Sequence, residues 1–421
     1  MTSFDLSVRF FLQLAFILGA CRVVGLLAQR IGQSQVVGEM ITGVLLGPSL
    51  FGLLLPDVQR WFFPKESMPI LYAVSQVGLS LYMFLIGLEF DVGLIRKRLR
   101  SALSVSLAGI VVPFFLGGVL ATFLAADADF FSPGVSRIEA VLFMGASMSI
   151  TAFPMLARII HERGLAGTSL GTLALAAGSL DDAAAWCVLA IVLASFSGDP
   201  SFALVAIGGG LAYAVLLVTV GRRVLAPLGA IVEREGALSN GVLTVTLMLV
   251  MLGSWFTDAI RIYAVFGAFV MGVAMPRGRF AEEVTRTIAP LATTFLLPLF
   301  FVYSGLNTRI GLVNSPALWG IAMVVLLAAT LGKGVACWLA ARLNGEPNGE
   351  ALAIGTLMNA RGLMELIILN IGLERGVIQP TLFTIMVLMA IATTLAATPV
   401  FEWVHGRERA RAAAASEAHP A

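Results

Sequence analysis

Two adjacent carboxylates, Asp181 and Asp182, stand in the stretch "AAGSLDDAAAW", and the apolar run from Leu165 to Phe196 holds no other charge. An Asp at the centre of a membrane helix costs about 2.5–3.5 kcal/mol on insertion scales, a heavy penalty to carry twice for packing alone. Oxygen ligands suit hard cations. In a constricted, partly desolvated site, protons and cations compete for the same carboxylate oxygens. Lys333, in "TLGKGVACW", is an intramembrane cation able to pair with one of the two acids. It cannot serve both, because neighbours on a helix point about 100° apart. At least one acid then faces a small cation or a proton. If such a site has to pass a hydrophobic barrier, its empty, ionised form carries an uncompensated charge and is penalised. Only the loaded form crosses easily, which enforces exchange.

Interrupted helices would supply further oxygens to that site. In "SMSITAFPMLARII", Pro154 lacks a backbone donor and clashes with the preceding turn. The break predicted there frees carbonyls and presents the Thr151 hydroxyl beside the acids, flanked by Ser149 and Phe153. Asp182, Asp181 and Thr151 are therefore the candidate ligands of a monovalent cation. A second break is expected in "GTLMNARGLMELI", around Gly355, Asn359 and Gly362. There Arg361 balances the partial charge of a half-helix end. Glu365, one turn further on, pairs with Arg361.

The elements that must hold these residues are membrane helices. Of 421 residues, 58% are hydrophobic and 12% charged, against about 25% charged in ordinary soluble domains. The mean hydropathy is +0.93. The formal net charge of +2 is scattered and forms no basic tract, so nucleic acid is not an expected partner. Cys21, Cys187 and Cys337 lie far apart in apolar runs and read as small core residues rather than a disulfide framework. The apolar run near Cys21 continues to Ala28 with only Arg9 before it, so an uncleaved first span is expected.

With roughly 20 residues per span, the chain reads as thirteen transmembrane helices, an all-α integral membrane protein. They begin near Phe4, Gln35, Met68, Ala102, Ile138, Leu165, Phe202, Leu238, Ile262, Thr287, Ala317, Glu350 and Thr381. With the N-terminus outside, 17 of the 27 basic residues fall on the inside, which is the bias that the positive-inside rule requires. Six spans, a linker and six more give two halves of opposite topology, a recurrent transporter architecture with binding sites at interrupted helices. The two predicted breaks fall in the fifth span of each half.

Other polar residues read as structural. His161 reads as a solvated loop histidine, Glu89 and Asp91 as a helix end, and the glycines at 208–210 as close helix packing. Paired aspartates also suit intramembrane proteolysis, but there two acids face each other from separate helices, and here they are adjacent. A sodium-coupled solute symporter would need a roomier polar cavity than this sequence offers. A channel would need a repeated carbonyl filter, and none is evident.

"TAFP" leading into "PMLARII", then "LDD", with "VVGEMITGVLLGPSLFG" at 36–52, "LYMFLIGLEFD" at 81–91 and "NARGLMELIILNIGL" at 359–373, resembles the monovalent cation:proton antiporter-2 family along essentially the whole chain. The resemblance implies the sodium/proton antiporter fold with crossed broken helices, an elevator-like core and a homodimer in lipid. The dimerisation part would span about 1–100 and 236–310, the core 101–200 and 311–405, the linker helix 201–235 and a cytoplasmic tail 406–421. Asp182 matches the acid that binds cation and proton, Asp181 the position before it, and Lys333 the Lys that pairs with that first acid. This pattern belongs to electrogenic sodium/proton exchange. "TAFPMLARII" and "NARGLMELI" are closer to plant cation/proton exchangers and bacterial relatives, some favouring potassium. The ion is thus open among sodium, potassium and lithium, with electroneutral potassium/proton exchange, or a sodium-coupled solute symporter with a similar inverted repeat, as the alternatives. No cofactor is expected beyond the transported cations and protons, nor is a regulatory nucleotide-binding domain after Ala421. The expected location is a bacterial inner membrane, with the C-terminus in the cytoplasm.

Overall fold

In a computed structural model of the chain, the described residues are 3–33, 35–89, 99–165, 168–197, 200–260 and 264–418. At some helical positions, among them Pro154, His161, Asp182 and Cys187, the backbone alone is described, and Asp91 lies outside the described residues. The first stretch of chain forms α1 (Ser3–Arg30), α2 (Gln35–Leu46), α3 (Phe51–Leu54), α4 (Pro56–Phe62) and α5 (Met68–Glu89). Then follow α6 (Leu99–Leu124), α7 (Arg137–Ser149), α8 (Phe153–Glu162), α9 (Ser169–Ser197), α10 (Pro200–Leu216) and α11 (Arg222–Glu235). The remainder gives α12 (Asn240–Ala259), α13 (Ala264–Ala274), α14 (Arg279–Leu291), α15 (Leu297–Leu306) and α16 (Pro316–Leu343). It ends in α17 (Asn348–Leu357), α18 (Leu363–Glu374) and α19 (Pro380–Ala418).

Local chemistry sets several of these ends. Ser136 and Glu139 cap α7 reciprocally: the Ser136 hydroxyl accepts from the Glu139 N–H at 3.2 Å, and the Glu139 carboxylate from the Ser136 N–H at 2.7 Å. Ser315 caps α16 ahead of Pro316, whose missing N–H costs nothing in the first turn. Gly236 closes α11 at φ 71°, a left-handed value that glycine adopts without strain.

Among the described residues, nine helical stretches are long and apolar enough to cross a membrane. The segments expected near Ile138 and Glu350 are not among them, because each is split into two half-helices of 10–13 residues. The segment expected at Ile262 is the 11-residue α13, mostly buried. Asp181 and Asp182 both belong to α9.

The chain divides into two compact units. One comprises Met1–Leu26, Gly38–Phe90 and Trp186–Asn307. Its core contains Phe84, Leu88, Met271, Phe280 and Val284, with a second cluster around Ile17, Leu71, Leu299 and Val302. Helices meet there at backbone distance through glycines. A Cβ on Gly305 would fall on the backbone of Gly43, and one on Gly272 on the backbone of Phe84 and Gly87. Close approach of this kind is how helices gain packing energy in lipid, where no hydrophobic effect draws them together. The other unit comprises Leu27–Val37, Asp91–Ala185 and Thr308–Ala421. Within it α6 packs against α7 and α16, α16 against α17, and both α17 and α18 against α19.

The glycine contact in the first unit sets up a stability prediction. Gly305→Ala forces the Gly43 backbone away and is expected to cost about 1–3 kcal/mol, the usual penalty of overpacking. Gly320→Ala meets open space and is expected to leave the protein as stable as wild type. Thermal unfolding of both variants in detergent checks the pair. Equal melting temperatures would show that the Gly43–Gly305 approach is not constrained.

Candidate cation and proton site

The site lies wholly within the second unit and is built on the C-terminal end of α7. A helix leaves its last four carbonyls without amide partners. Here the chain leaves the helix at Ile150 in an extended conformation, φ −73° and ψ 136°. Pro154 is the second residue of α8, a position where its missing N–H breaks no bond. The residue ahead of a proline is also biased away from helix, and the break falls at residues 150–152.

Two cations from distant segments meet the orphaned carbonyls. Arg361 donates through Nη1 to Ser147 O at 3.3 Å and through Nη2 to Met148 O at 2.8 Å. Lys333 donates through Nζ to Ser149 O. Both side chains are fully buried. They bring positive charge to the negative pole of α7, where the macrodipole favours it. Arg361 also pairs with Glu365 at 3.4 Å, one turn on in α18.

The second break spans residues 358–362, between α17 and α18, and touches the first. Ala152 N–H donates to Ala360 O at 3.0 Å. A Cβ on Gly362 would stand 3.2 Å from the Ala152 and Met155 side chains, so glycine lets the two breaks close up. Asn359 donates through Nδ2 to Thr330 O at 3.1 Å and Gly355 O at 3.2 Å, tying α16 to the end of α17. The Arg361 N–H donates to the Thr394 hydroxyl of α19 at 3.2 Å.

Asp181 of α9 is buried against this junction. Its Oδ2 accepts from Lys333 Nζ at 2.9 Å and from the Thr151 hydroxyl, and its Oδ1 accepts from the Ser106 hydroxyl of α6 at 3.2 Å. The third acceptor of Lys333, after Ser149 O and Asp181, is Gly109 O of α6 at 3.0 Å. Three ammonium protons thus meet three acceptors.

The residues singled out in the sequence mostly gather here. Asp181, Thr151, Lys333 and Ser149 form one bonded cluster, Ser149 through its carbonyl; Arg361 with Glu365 holds the neighbouring carbonyls of α7, and Asn359 braces the second break. Phe153 begins α8 and is buried beside the break. Asp182 follows Asp181 in α9, and its side chain lies outside the description, as does that of Pro154. The acid that Lys333 selects is Asp181, the partner that the family resemblance implied. Sequence reasoning missed Ser106, Gly109 and Thr394. Ser106 and Gly109 share a buried face of α6 with Ala102, Val105 and Pro113, and that helical spacing was the one available signal.

An ion pair buried to this degree is destabilising when half of it is removed. Asp181→Ala strands the Lys333 ammonium and is expected to cost about 3–5 kcal/mol. Adding Lys333→Met is expected to recover only part of that loss, because Gly109 O and Ser149 O then lack their donor. Unfolding of the single and double variants in detergent measures the coupling. Additive losses would mean that the pair is not the stabilising unit.

The family described as "Sodium/hydrogen exchanger, transmembrane" matches residues 14–405. The chain is similar to the Na(+)/H(+) antiporter NhaS4 of Synechocystis, 43% identical over 387 residues, covering 91% of this chain and 94% of that protein. It is 37% identical over 398 residues to cation/H(+) antiporter 17 of Arabidopsis thaliana, and 32% over 407 residues to K(+)/H(+) antiporter 1 of Saccharomyces cerevisiae. Those matches cover 92% and 94% of this chain but 47% and 46% of the relatives, so the chain spans about half the length of each. The solved structure of the sodium proton antiporter MjNhaP1 from Methanocaldococcus jannaschii at pH 8 superimposes with a TM-score of 0.64 at 14% identity, covering 94% of this chain and 96% of that one. That likeness shows an all-helical membrane protein with the sodium/proton antiporter fold. The chain belongs to the sodium/hydrogen exchanger family.

Proposed function

We propose that this protein exchanges a monovalent cation for protons across a membrane, using Asp182 and Asp181 as the shared cargo site. The observation that carries the reading is the saturated Lys333–Asp181 pair, buried where the two helix breaks touch. Asp181 already has three donors. It has to be released from Lys333 before a cation can use its oxygens, and Asp182 is the acid left to alternate between proton and cation. Thr151, donor to Asp181, offers its oxygen as a neutral ligand.

Charge balance follows from the protons on Lys333. A cation arriving at Asp181 competes with the ammonium. If Lys333 then gives up one proton, the neutral amine keeps two N–H groups for Gly109 O and Ser149 O, so neither carbonyl is abandoned. One proton from Asp182 and one from Lys333 would leave per monovalent cation bound, which makes exchange electrogenic. Relatives named for sodium/proton and for potassium/proton exchange both occur, so the cargo in this reading is sodium or potassium.

The surrounding architecture in this reading is thirteen spans in two inverted six-helix repeats joined by a linker. The unit that carries the site acts as an elevator-like transport core, and the other unit as the dimerisation part of a homodimer. The C-terminus lies in the cytoplasm.

Proton flux in proteoliposomes, driven by lithium, sodium or potassium gradients, tests the proposal. Asp182→Asn is expected to reduce exchange to background while folded protein is still produced. Wild-type exchange by that variant would remove Asp182 from the site. Lys333→Gln is expected to exchange more slowly and to lose sensitivity to membrane potential, compared with and without valinomycin and potassium in a sodium gradient. A variant as voltage-sensitive as wild type would leave Lys333 a structural partner only.

A further inference from the structure

Lys333 reaches a carbonyl that an uninterrupted helix would not offer. In a regular helix, the carbonyl of residue 109 accepts the N–H of residue 113. Residue 113 of α6 is proline and has no N–H to give. Gly109 O is left open inside the unit, and Lys333 Nζ takes it at 3.0 Å. The same glycine makes room for α16: a Cβ at position 109 would lie 2.7 Å from Cys337 Sγ and 3.9 Å from Lys333 Cε and Nζ. Ser106, one turn before Gly109 on the same buried face, donates to Asp181. One face of α6 therefore holds both members of the ion pair.

We propose that Pro113 is a positioning residue for Lys333, acting through the open Gly109 carbonyl, and that this carbonyl draws the ammonium partly away from Asp181. The proposal rests on the exchange reading above. The two carbonyls and the carboxylate share three protons. Removing one carbonyl commits the ammonium more strongly to the acid, and an arriving cation then has a harder competitor to displace. The Pro113 side chain carries no polar atom; its influence is the hydrogen bond it cannot make.

Pro113→Ala restores the N–H, which claims Gly109 O as an ordinary helix bond. On helix grounds this substitution is favourable, since an interior proline is the residue that strains the turn. The expected result is an apparent KM for the transported cation raised about tenfold, the scale of one hydrogen bond to a charged group. In a Lys333→Gln background, which has no ammonium to redistribute, the same substitution is expected to leave the KM unchanged. Pro113→Ser also restores the N–H and serves if the alanine variant is not recovered folded.

An unchanged KM in the otherwise wild-type protein overturns the proposal. So does an equal rise in the Lys333→Gln background, which would mark a general distortion of α6. If wild type exchanges no monovalent cation for protons, the functional reading fails instead. The structure of the Pro113→Ala variant then decides the positioning on its own: Lys333 Nζ leaving Gly109 O supports it, and an unaltered contact overturns it.

Discussion

Three carbonyls at the end of one short helix, those of Ser147, Met148 and Ser149, govern the rest of the second unit. The chain stops being helical at Ile150, and a buried backbone carbonyl without a partner costs about 1–3 kcal/mol. Arg361 takes two of the three and Lys333 the last. Each cation is expensive to bury and is itself stabilised by the carbonyls and one acid, Glu365 or Asp181. Neither half of this arrangement is stable without the other: the helix end needs cations, and the cations need an electronegative place to sit. α16 supplies Lys333 and the second break supplies Arg361, so the packing of α6, α7, α9, α16, α17 and α18 converges on a few backbone oxygens.

The two units solve different problems with different residues. In the first, apolar clusters meet where glycines let helices approach at backbone distance, as at Gly43–Gly305. That contact is van der Waals packing between backbones. In the second, irregular backbone at the breaks is tolerated because it is buried in protein and its groups are paired. Ala152 with Ala360, Thr394 with Arg361 and Asn359 with Thr330 and Gly355 account for much of that pairing.

Much of the site was legible in the sequence because charge is conspicuous in apolar surroundings. Asp181, Asp182, Lys333 and Arg361 stand out by their type alone, and Pro154 and Gly362 mark the breaks beside them. The Lys333 choice of Asp181 over Asp182 was not fixed by residue type, since it depends on how α9 is rotated against α16; the family resemblance alone implied it. Ser106 and Gly109 were illegible for another reason. Serine and glycine are ordinary residues of membrane helices, and their roles arise from partners 75 and 224 positions away in the chain. The breaks expected in the segments near Ile138 and Glu350 are where each divides into two half-helices, although hydropathy alone is blind to a backbone that stops and restarts.

The reach of the α7 caps also bears on biosynthesis. Ser149 O waits for a lysine 184 residues later, and Ser147 O and Met148 O for an arginine 214 and 213 residues later. At translation rates of about 5–20 residues/s, that is a delay of roughly 10–40 s between the emergence of the half-helix and that of its partners. During that interval the carbonyls need interim company from water or the insertion machinery, since lipid offers no donor. The segment that later forms the heart of the site is thus among the last to settle, although it is made in the first half of the chain.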